Sequence, residues 1–398
     1  MLATHVDDIL YACKPGYEHL VQKIFDKFEV RETQTGKIRF CGREILQDET
    51  GIRITCKDTA EKVLPINFRK DGRNAEDKAT DGEISQLRSV VGSLSWVARQ
   101  CRPELSYYAS KLQSAVSGAR VKHLQEANKA LALAVAESDR GLFYKTGAVK
   151  WDSATLITIT DASWAGEKLY NCDGQVFPRR SQRGKFILLA DKSIWDGDKA
   201  NAYVLSWKST MIKRVCRSTM AAETQSLLGG VADGMRMRAV IADLTDQIEF
   251  LDWRKSSANA IPHLWLTDCE SLNSYLVNPI ASGNEDSRLE LDLEDLRQML
   301  WEDELGNLRD TLSEEATDKV RWIDTSTMLA DPLTKNMKPL RLLEFLESGI
   351  IDLEATDESK LQKMLKQKQR KSAKEAKTQN ADEEKTDVLP TVYESAAE

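Results

Sequence analysis

Between Ile84 and Ala136 the apolar residues recur every three or four positions: Leu87, Val90, Val91 and Leu94, then Tyr107 and Leu112, then Leu124, Ala127 and Leu131. That period puts them on one stripe of successive helices and predicts a helical block. Upstream the pattern is mixed. Leu20, Val21, Ile24 and Phe25 share a face of a predicted helix over Glu18–Phe28, whereas Lys37-Ile38-Arg39-Phe40 and Gly51-Ile52-Arg53-Ile54-Thr55 alternate as strands. Val6-Asp7-Asp8-Ile9 is apolar on both sides of an acidic pair and predicts a tight turn between strands. Residues 66–82, polar with Gly and Asp, read as a linker.

Downstream, four carboxylates fall at informative places in the pattern. The alternating run Leu156–Thr160 predicts a strand that ends on Asp161, and His263–Thr267 predicts another that ends on Asp268, with helix-like Glu270–Leu276 behind it. Ser218 or Thr219 can N-cap a helix running through Leu227, Leu228 and Val231 to about Leu244, which puts Glu223 in its first or second turn. Asp292 belongs to the acidic helical stretch Leu289–Arg297. After Asp352 the character changes to a basic run, Lys360–Lys371, and a polar acidic run, Ala381–Lys385, with too few large apolar residues to order a core. The basic run reads as a solvated helix face.

Hard carboxylate oxygens suit Mg²⁺, with Mn²⁺ as a substitute, and four of them can balance two ions. A pair of such ions supports in-line phosphodiester hydrolysis, so Asp161, Glu223, Asp268 and Asp292 form the expected metal and catalytic set, with Asp161 as the bridging member. The 398 residues and 41% hydrophobic content allow two to three packed domains. The net charge of −7 argues against a dedicated polyanion binder. Local patches decide phosphate contact, however, and Lys208, Lys213, Arg214 and Arg217 stand near the carboxylates in sequence as candidate nucleic-acid contacts. Seven cysteines without Cys-x-x-Cys spacing read as reduced thiols, and none of the four histidines has zinc-site spacing. His123 and His263 are expected to be core or surface residues rather than catalysts. No apolar run approaches the roughly 20 residues needed to span a bilayer, and no leader pattern follows Met1. The expectation is a soluble protein inside the cell, in cytoplasm or nucleus, without a membrane partner.

Several motifs, in order, resemble one family. Thr160-Asp161-Ala162-Ser163-Trp164-Ala165-Gly166, Leu205-Ser206-Trp207-Lys208-Ser209, Ser218 through Glu223, Asp268-Cys269-Glu270-Ser271 and Leu329-Ala330-Asp331-Pro332-Leu333-Thr334-Lys335 are similar to the ribonuclease H domain of copia-type retrotransposon Pol polyproteins, over roughly residues 151–335. Upstream, His5-Val6-Asp7-Asp8-Ile9-Leu10 resembles the family's Tyr-Val-Asp-Asp polymerase box, Phe40-Cys41-Gly42-Arg43-Glu44-Ile45 its Phe-Leu-Gly-x-Glu-Ile, and Val91-Gly92-Ser93-Leu94 with Arg102-Pro103-Glu104 two further motifs. The chain departs from the family where Met220-Ala221-Ala222-Glu223 replaces Thr-Glu-Ala-Glu and Leu289-Glu290-Leu291-Asp292 replaces Lys-His-Ile-Asp.

The resemblance implies a truncated reverse transcriptase palm (1–65), a helical thumb or connection region (83–150) and a ribonuclease H-like domain (151–340) with a mixed five-stranded sheet flanked by helices, to which composition adds the linker (66–82) and a charged tail (341–398) expected to be disordered. It implies Mg²⁺-dependent cleavage of the RNA strand of an RNA/DNA hybrid, with other Pol segments as further partners. Trp164 and Trp207 resemble packing residues of that sheet. Asp7 and Asp8 resemble a polymerase pair, but with only six residues ahead of Asp7 the third aspartate of such a site is missing, and polymerisation is not expected of this chain alone. The alternative is a catalytically degenerate nucleic-acid-binding relic or domesticated scaffold.

Overall fold

The computed structural model describes residues 1–69, 72–167, 179–278, 286–302, 316–357, 359–361 and 364–365. The chain divides into a unit spanning Met1–Leu353 and a second spanning Glu354–Glu398. Most of the Lys360–Lys371 run, all of Ala381–Lys385 and Cys172 lie outside the described residues.

The first unit opens with the expected hairpin, β1 (Leu2–His5) and β2 (Asp8–Tyr11), in which His5 pairs with Asp8 across a turn at Val6-Asp7. Helix α1 (Glu18–Phe25) follows, without a buried residue. Strands β3 (Lys37–Phe40), β4 (Arg43–Gln47) and β5 (Gly51–Thr55) then form an antiparallel meander. Beyond α2 (Lys57–Glu61), the linker is strapped down. Asn128 accepts from the Ile66 amide at 2.8 Å and donates to the Ile66 carbonyl at 2.9 Å, which satisfies an otherwise buried peptide.

Helices α3 (Asp81–Gln100), α4 (Ser106–Ala115) and α5 (Val121–Ala136) form the predicted block, and the stripe from Leu87 to Leu131 is its buried face. Thr80 and Glu83 close a capping box at the start of α3, and Arg73 pairs with Glu83 there. Strand β6 (Leu142–Lys145) returns to complete a four-stranded sheet in the order β3-β4-β5-β6.

The central sheet is built from β7 (Ala154–Glu167), β8 (Arg180–Asp191) and β9 (Lys199–Met211) as an antiparallel meander. Helix α6 (Thr219–Leu244) and α7 (Trp253–Ala260) lead to β10 (His263–Thr267), which lies parallel to β7. Helices α8 (Glu270–Val277) and α9 (Ser287–Trp301) then lead to β11 (Asp318–Trp322), parallel to β10. The resemblance implies five strands in this sheet, and six are present among the described residues. Helix α10 (Leu340–Ser348) buries Leu342, Phe345 and Leu346, the left-handed Gly349 at φ 68° reverses the chain, and β12 (Ile350–Asp352) pairs antiparallel with β9, with Ile351 fully buried. Residues 341–353, read from sequence as the start of the tail, therefore belong to the first unit. The strand order is β11-β10-β7-β8-β9-β12.

Both faces of this mixed sheet are covered. Ile157, Ile159, Phe186 and Leu188 share a core with the helical block, while Trp265 and Val320 pack with residues of α6, α8 and α9. Glycines set how closely α6 can sit. A Cβ on Gly230 would lie 2.5 Å from Thr160 Cγ2, and one on Gly234 2.5 Å from His263 Cε1. His263 is fully buried and bonds Thr158 Oγ1 at 2.8 Å and the Trp265 indole at 3.1 Å; together with His123, which accepts from the Arg120 amide, it is a packing residue as expected.

Candidate active site

Pairing between β7 and β10 stops at Ile159 and Leu266, but β7 continues for several residues to Glu167. Asp161 sits just past that point, inside the strand rather than at its end. Side chains alternate along β7, so Asp161 shares the face of Ile157 and Ile159, while Thr158 and Thr160 face α6. Asp268 is the first residue after β10, at the same open end. Glu223 comes from α6: the Ser218 hydroxyl caps the helix by accepting from the Ala221 amide at 3.1 Å, and one turn on Glu223 accepts from the Ala162 amide at 3.2 Å.

The structure brings Asp331, which the carboxylate set expected from sequence does not include, to Asp161 and Asp268, and it does not bring Asp292 there. Oxygens of Asp161, Asp268 and Asp331 lie within 4.8 Å of one another, the one such cluster among the described residues. Asp331 begins a short 3₁₀ turn, Asp331–Leu333, that is pinned by Ser209 donating to the Leu333 carbonyl at 2.5 Å and by Tyr108 donating to Asn336 at 2.8 Å. Thr334 donates to Asp161, and Lys335 Nζ lies 2.6 Å from Asp331 and 3.5 Å from Asp161.

Asp292 instead pairs with Arg214 and accepts from Gln225 at 2.7 Å. Gln225 is two positions beyond Glu223 and hence about 200° around the helix, so a group that meets Gln225 stands away from the face carrying Glu223. The fit of the acidic stretch to α9 was legible, because Leu289, Leu293, Leu296 and Leu300 are its buried stripe. The side of α6 on which it lands was not. A signal for Asp331 was present: an acid set between Leu329-Ala330 and Pro332-Leu333 is a carboxylate carried inside an apolar segment.

Burial and mutual repulsion shape the electrostatics. Glu223 is pushed up to about 9 by burial, with Asp161 and Asp268 adding to it. Asp331 is pushed up to about 7 by burial and then by Asp161, and Asp268 is raised for the same two reasons. Burial works against the Lys335 ammonium, but Asp161 and Asp331 outweigh it and hold its pKa above the ordinary lysine value. Glu223 Oε2 is buried without a hydrogen-bond partner. A donor set of hard oxygens, one of them an unpartnered buried atom, fits a divalent cation such as Mg²⁺.

These shifts fix a sign. Asp331 and Glu223 have ordinary values of 3.8 and 4.5 and are raised in the fold, so the folded ion-free protein holds their protons more tightly than the unfolded chain does. Their contribution to stability is full below about pH 4 and is lost as pH rises through about 7 for Asp331 and about 9 for Glu223. Cation binding requires the same protons to leave, so Mn²⁺ affinity should climb between about pH 6 and 9, by up to about tenfold per pH unit for each proton released. Titration calorimetry across that range checks this, and a flat profile would contradict it.

Gly184 makes the approach of Asp331 possible. It stands opposite Asp161 in the β7–β8 register, and a Cβ there would lie 2.6 Å from Leu333 Cβ, 2.9 Å from Thr334 Cγ2 and 3.0 Å from the Ala330 carbonyl. Gly184→Ala is expected to push the Asp331 turn outward and weaken Mn²⁺ binding at least about tenfold, since small misplacements of reacting groups cost up to about 10² in rate. Retained affinity in a folded variant would show that the turn yields without moving Asp331.

Of the four basic candidates, Lys208 and Lys213 are exposed on β9 and in the loop after it, Arg214 is taken up by Asp292, and Arg217 lies 3.7 Å from Asp286. Trp207 packs as expected, its indole donating to the Ala98 carbonyl at 2.8 Å. Trp164 is 46% exposed with its indole on the Cys216 carbonyl, so it is a surface residue rather than a packing one. Asp7 and Asp8 remain exposed in the hairpin and join no metal-binding group among the described residues. No helix among the described residues is long and apolar enough to cross a membrane.

No family model matches the chain, and no curated protein matches it. Among solved structures, it is similar to RNase H1 from the halophilic archaeon Halobacterium salinarum NRC-1, at 11% identity and a TM-score of 0.25, over 44% of this chain and 90% of that one. The carboxylate geometry stands independently of that overlap.

Proposed function

We propose that this chain is a Mg²⁺-dependent ribonuclease that hydrolyses the RNA strand of RNA/DNA hybrids and derives from a copia-type retrotransposon Pol polyprotein. The observation that carries this reading is the convergence of Asp161, Asp268 and Asp331 on one point, with Glu223 beside them from a helix on the other face of the sheet. Asp161, Glu223, Asp268 and Asp331 would hold the cations, with Mn²⁺ able to replace Mg²⁺. When bound, such ions activate a water and stabilise the departing oxygen in phosphodiester hydrolysis. The protein's own part is to fix the four carboxylates, with Thr334 and the Ala162 amide orienting Asp161 and Glu223. Lys208, Lys213 and Arg217 supply positive charge for the phosphate backbone. Trp164 offers an exposed ring for a base or sugar.

Cleavage of a labelled RNA strand in a hybrid duplex, compared among the purified protein, Asp161→Asn and Asp268→Asn, tests this directly. Mg²⁺-dependent cleavage lost in both variants supports the enzyme. Hybrid binding without cleavage at any Mg²⁺ or Mn²⁺ concentration selects the alternative, a catalytically degenerate binding module, and equal cleavage in all three proteins would point to a contaminant.

A further inference from the structure

Lys335 is placed unusually for a residue in a cation site. Its amide donates to the Asp331 carbonyl at 3.0 Å, so lysine and aspartate sit on one turn, and its ammonium lies 2.6 Å from the Asp331 carboxylate and 3.5 Å from that of Asp161. The turn itself is held by Ser209 and Tyr108, and the Thr334 hydroxyl beside Lys335 bonds Asp161. The ammonium is therefore delivered to two of the three clustered carboxylates by the same segment that supplies one of them. Its side chain is 40% exposed, which leaves it a path outward.

We propose that Lys335 is a tethered counter-cation: it neutralises Asp161 and Asp331 in the ion-free protein, competes with divalent cations for them, and must swing toward solvent before those carboxylates can take an ion. The inference rests on the carboxylate cluster being a cation site, as proposed above. A positive charge within about 4 Å of the same oxygens repels an incoming cation by an amount that reaches orders of magnitude in affinity when partly shielded from water. Because the competitor is attached to the chain, dilution cannot remove it. Its presence also spares the ion-free fold the repulsion of adjacent buried acids.

The test is Mn²⁺ binding without nucleic acid, followed by the spin resonance of free Mn²⁺, for the full chain and for Lys335→Met, Lys335→Gln, Lys335→Arg and Asp331→Asn. Lys335→Met and Lys335→Gln should bind Mn²⁺ at least about tenfold more tightly, and Lys335→Arg, which keeps the charge, should bind as the unaltered protein does. The two neutral variants should also melt lower without Mn²⁺ and gain more on adding it, a split that a purely structural lysine would not produce. Unchanged or weaker Mn²⁺ binding in the folded neutral variants overturns the inference; if Asp331→Asn still removes binding, the cation site itself stands. Absence of binding in every protein overturns both.

Discussion

Asp331→Asn should abolish Mg²⁺-dependent cleavage of the hybrid's RNA strand, by at least about 10²-fold, whereas Asp292→Asn should leave it within a few-fold. Both aspartates are partly or fully buried and both touch a cation, so local environment alone does not separate them. What separates them is the company they keep. Asp331 is pushed up to about 7 by burial and then by Asp161, with Asp268 adding to it, and these three clustered carboxylates share a single ammonium, that of Lys335, so the cluster keeps an excess of negative charge that a divalent cation or a proton offsets. Asp292 is already neutralised by Arg214 and hydrogen-bonded by Gln225. Because the Arg214 side chain keeps 39% of its surface in solvent, which screens the pair, losing it should change stability by about 1 kcal/mol. Parallel hybrid-cleavage and Mn²⁺-binding assays on the two variants decide the matter. Full activity in Asp331→Asn, or its loss in Asp292→Asn, would restore the quartet that the sequence alone points to.

Arg102→Ala should destabilise the first unit by about 3–5 kcal/mol without touching the carboxylates. Arg102 is 1% exposed. Its guanidinium pairs with buried Glu104 and donates to the carbonyls of Ala134 at 3.3 Å and Glu137 at 2.8 Å. Those carbonyls belong to the last turn of α5, which has no intrahelical donors for them, so the arginine caps the helix from outside. Truncation strands the Glu104 carboxylate, one of whose oxygens already lacks a hydrogen-bond partner, and reopens the helix end. The double variant Arg102→Met/Glu104→Met should lose less than the single one, because no charge is then left buried. Urea denaturation of the three proteins measures the difference. A single-variant loss below about 1 kcal/mol would mean that water replaces the guanidinium freely.

The sequence was most legible where one residue's periodicity decides its burial. The stripe from Leu87 to Leu131, the Ser218-capped helix carrying Glu223, and the alternating runs before Asp161 and Asp268 are all local patterns, and each appears where its period places it. Strand β12 was not legible, since three residues after a helix carry no alternation to read, and only the αL turn at Gly349 and the edge of β9 make them a strand. The same is true of residues 66–82, whose polarity reads as linker although Ile66 is bonded both ways to Asn128.

The candidate site divides along the same line. By itself the sequence determined which residues are acidic, that Asp161 belongs to a strand, that Glu223 lies in the first turns of a helix, that Asp268 follows a strand, and that Asp331 is embedded among apolar neighbours. Only the tertiary structure decided which carboxylates meet. The choice of Asp331 over Asp292 depends on which side of α6 receives α9 and on the missing side chain at Gly184, and both are set by packing between segments far apart in the chain. Periodicity records the face a residue presents, not what comes to lie against it, so the partners of a buried acid become fixed only when the chain has closed around it.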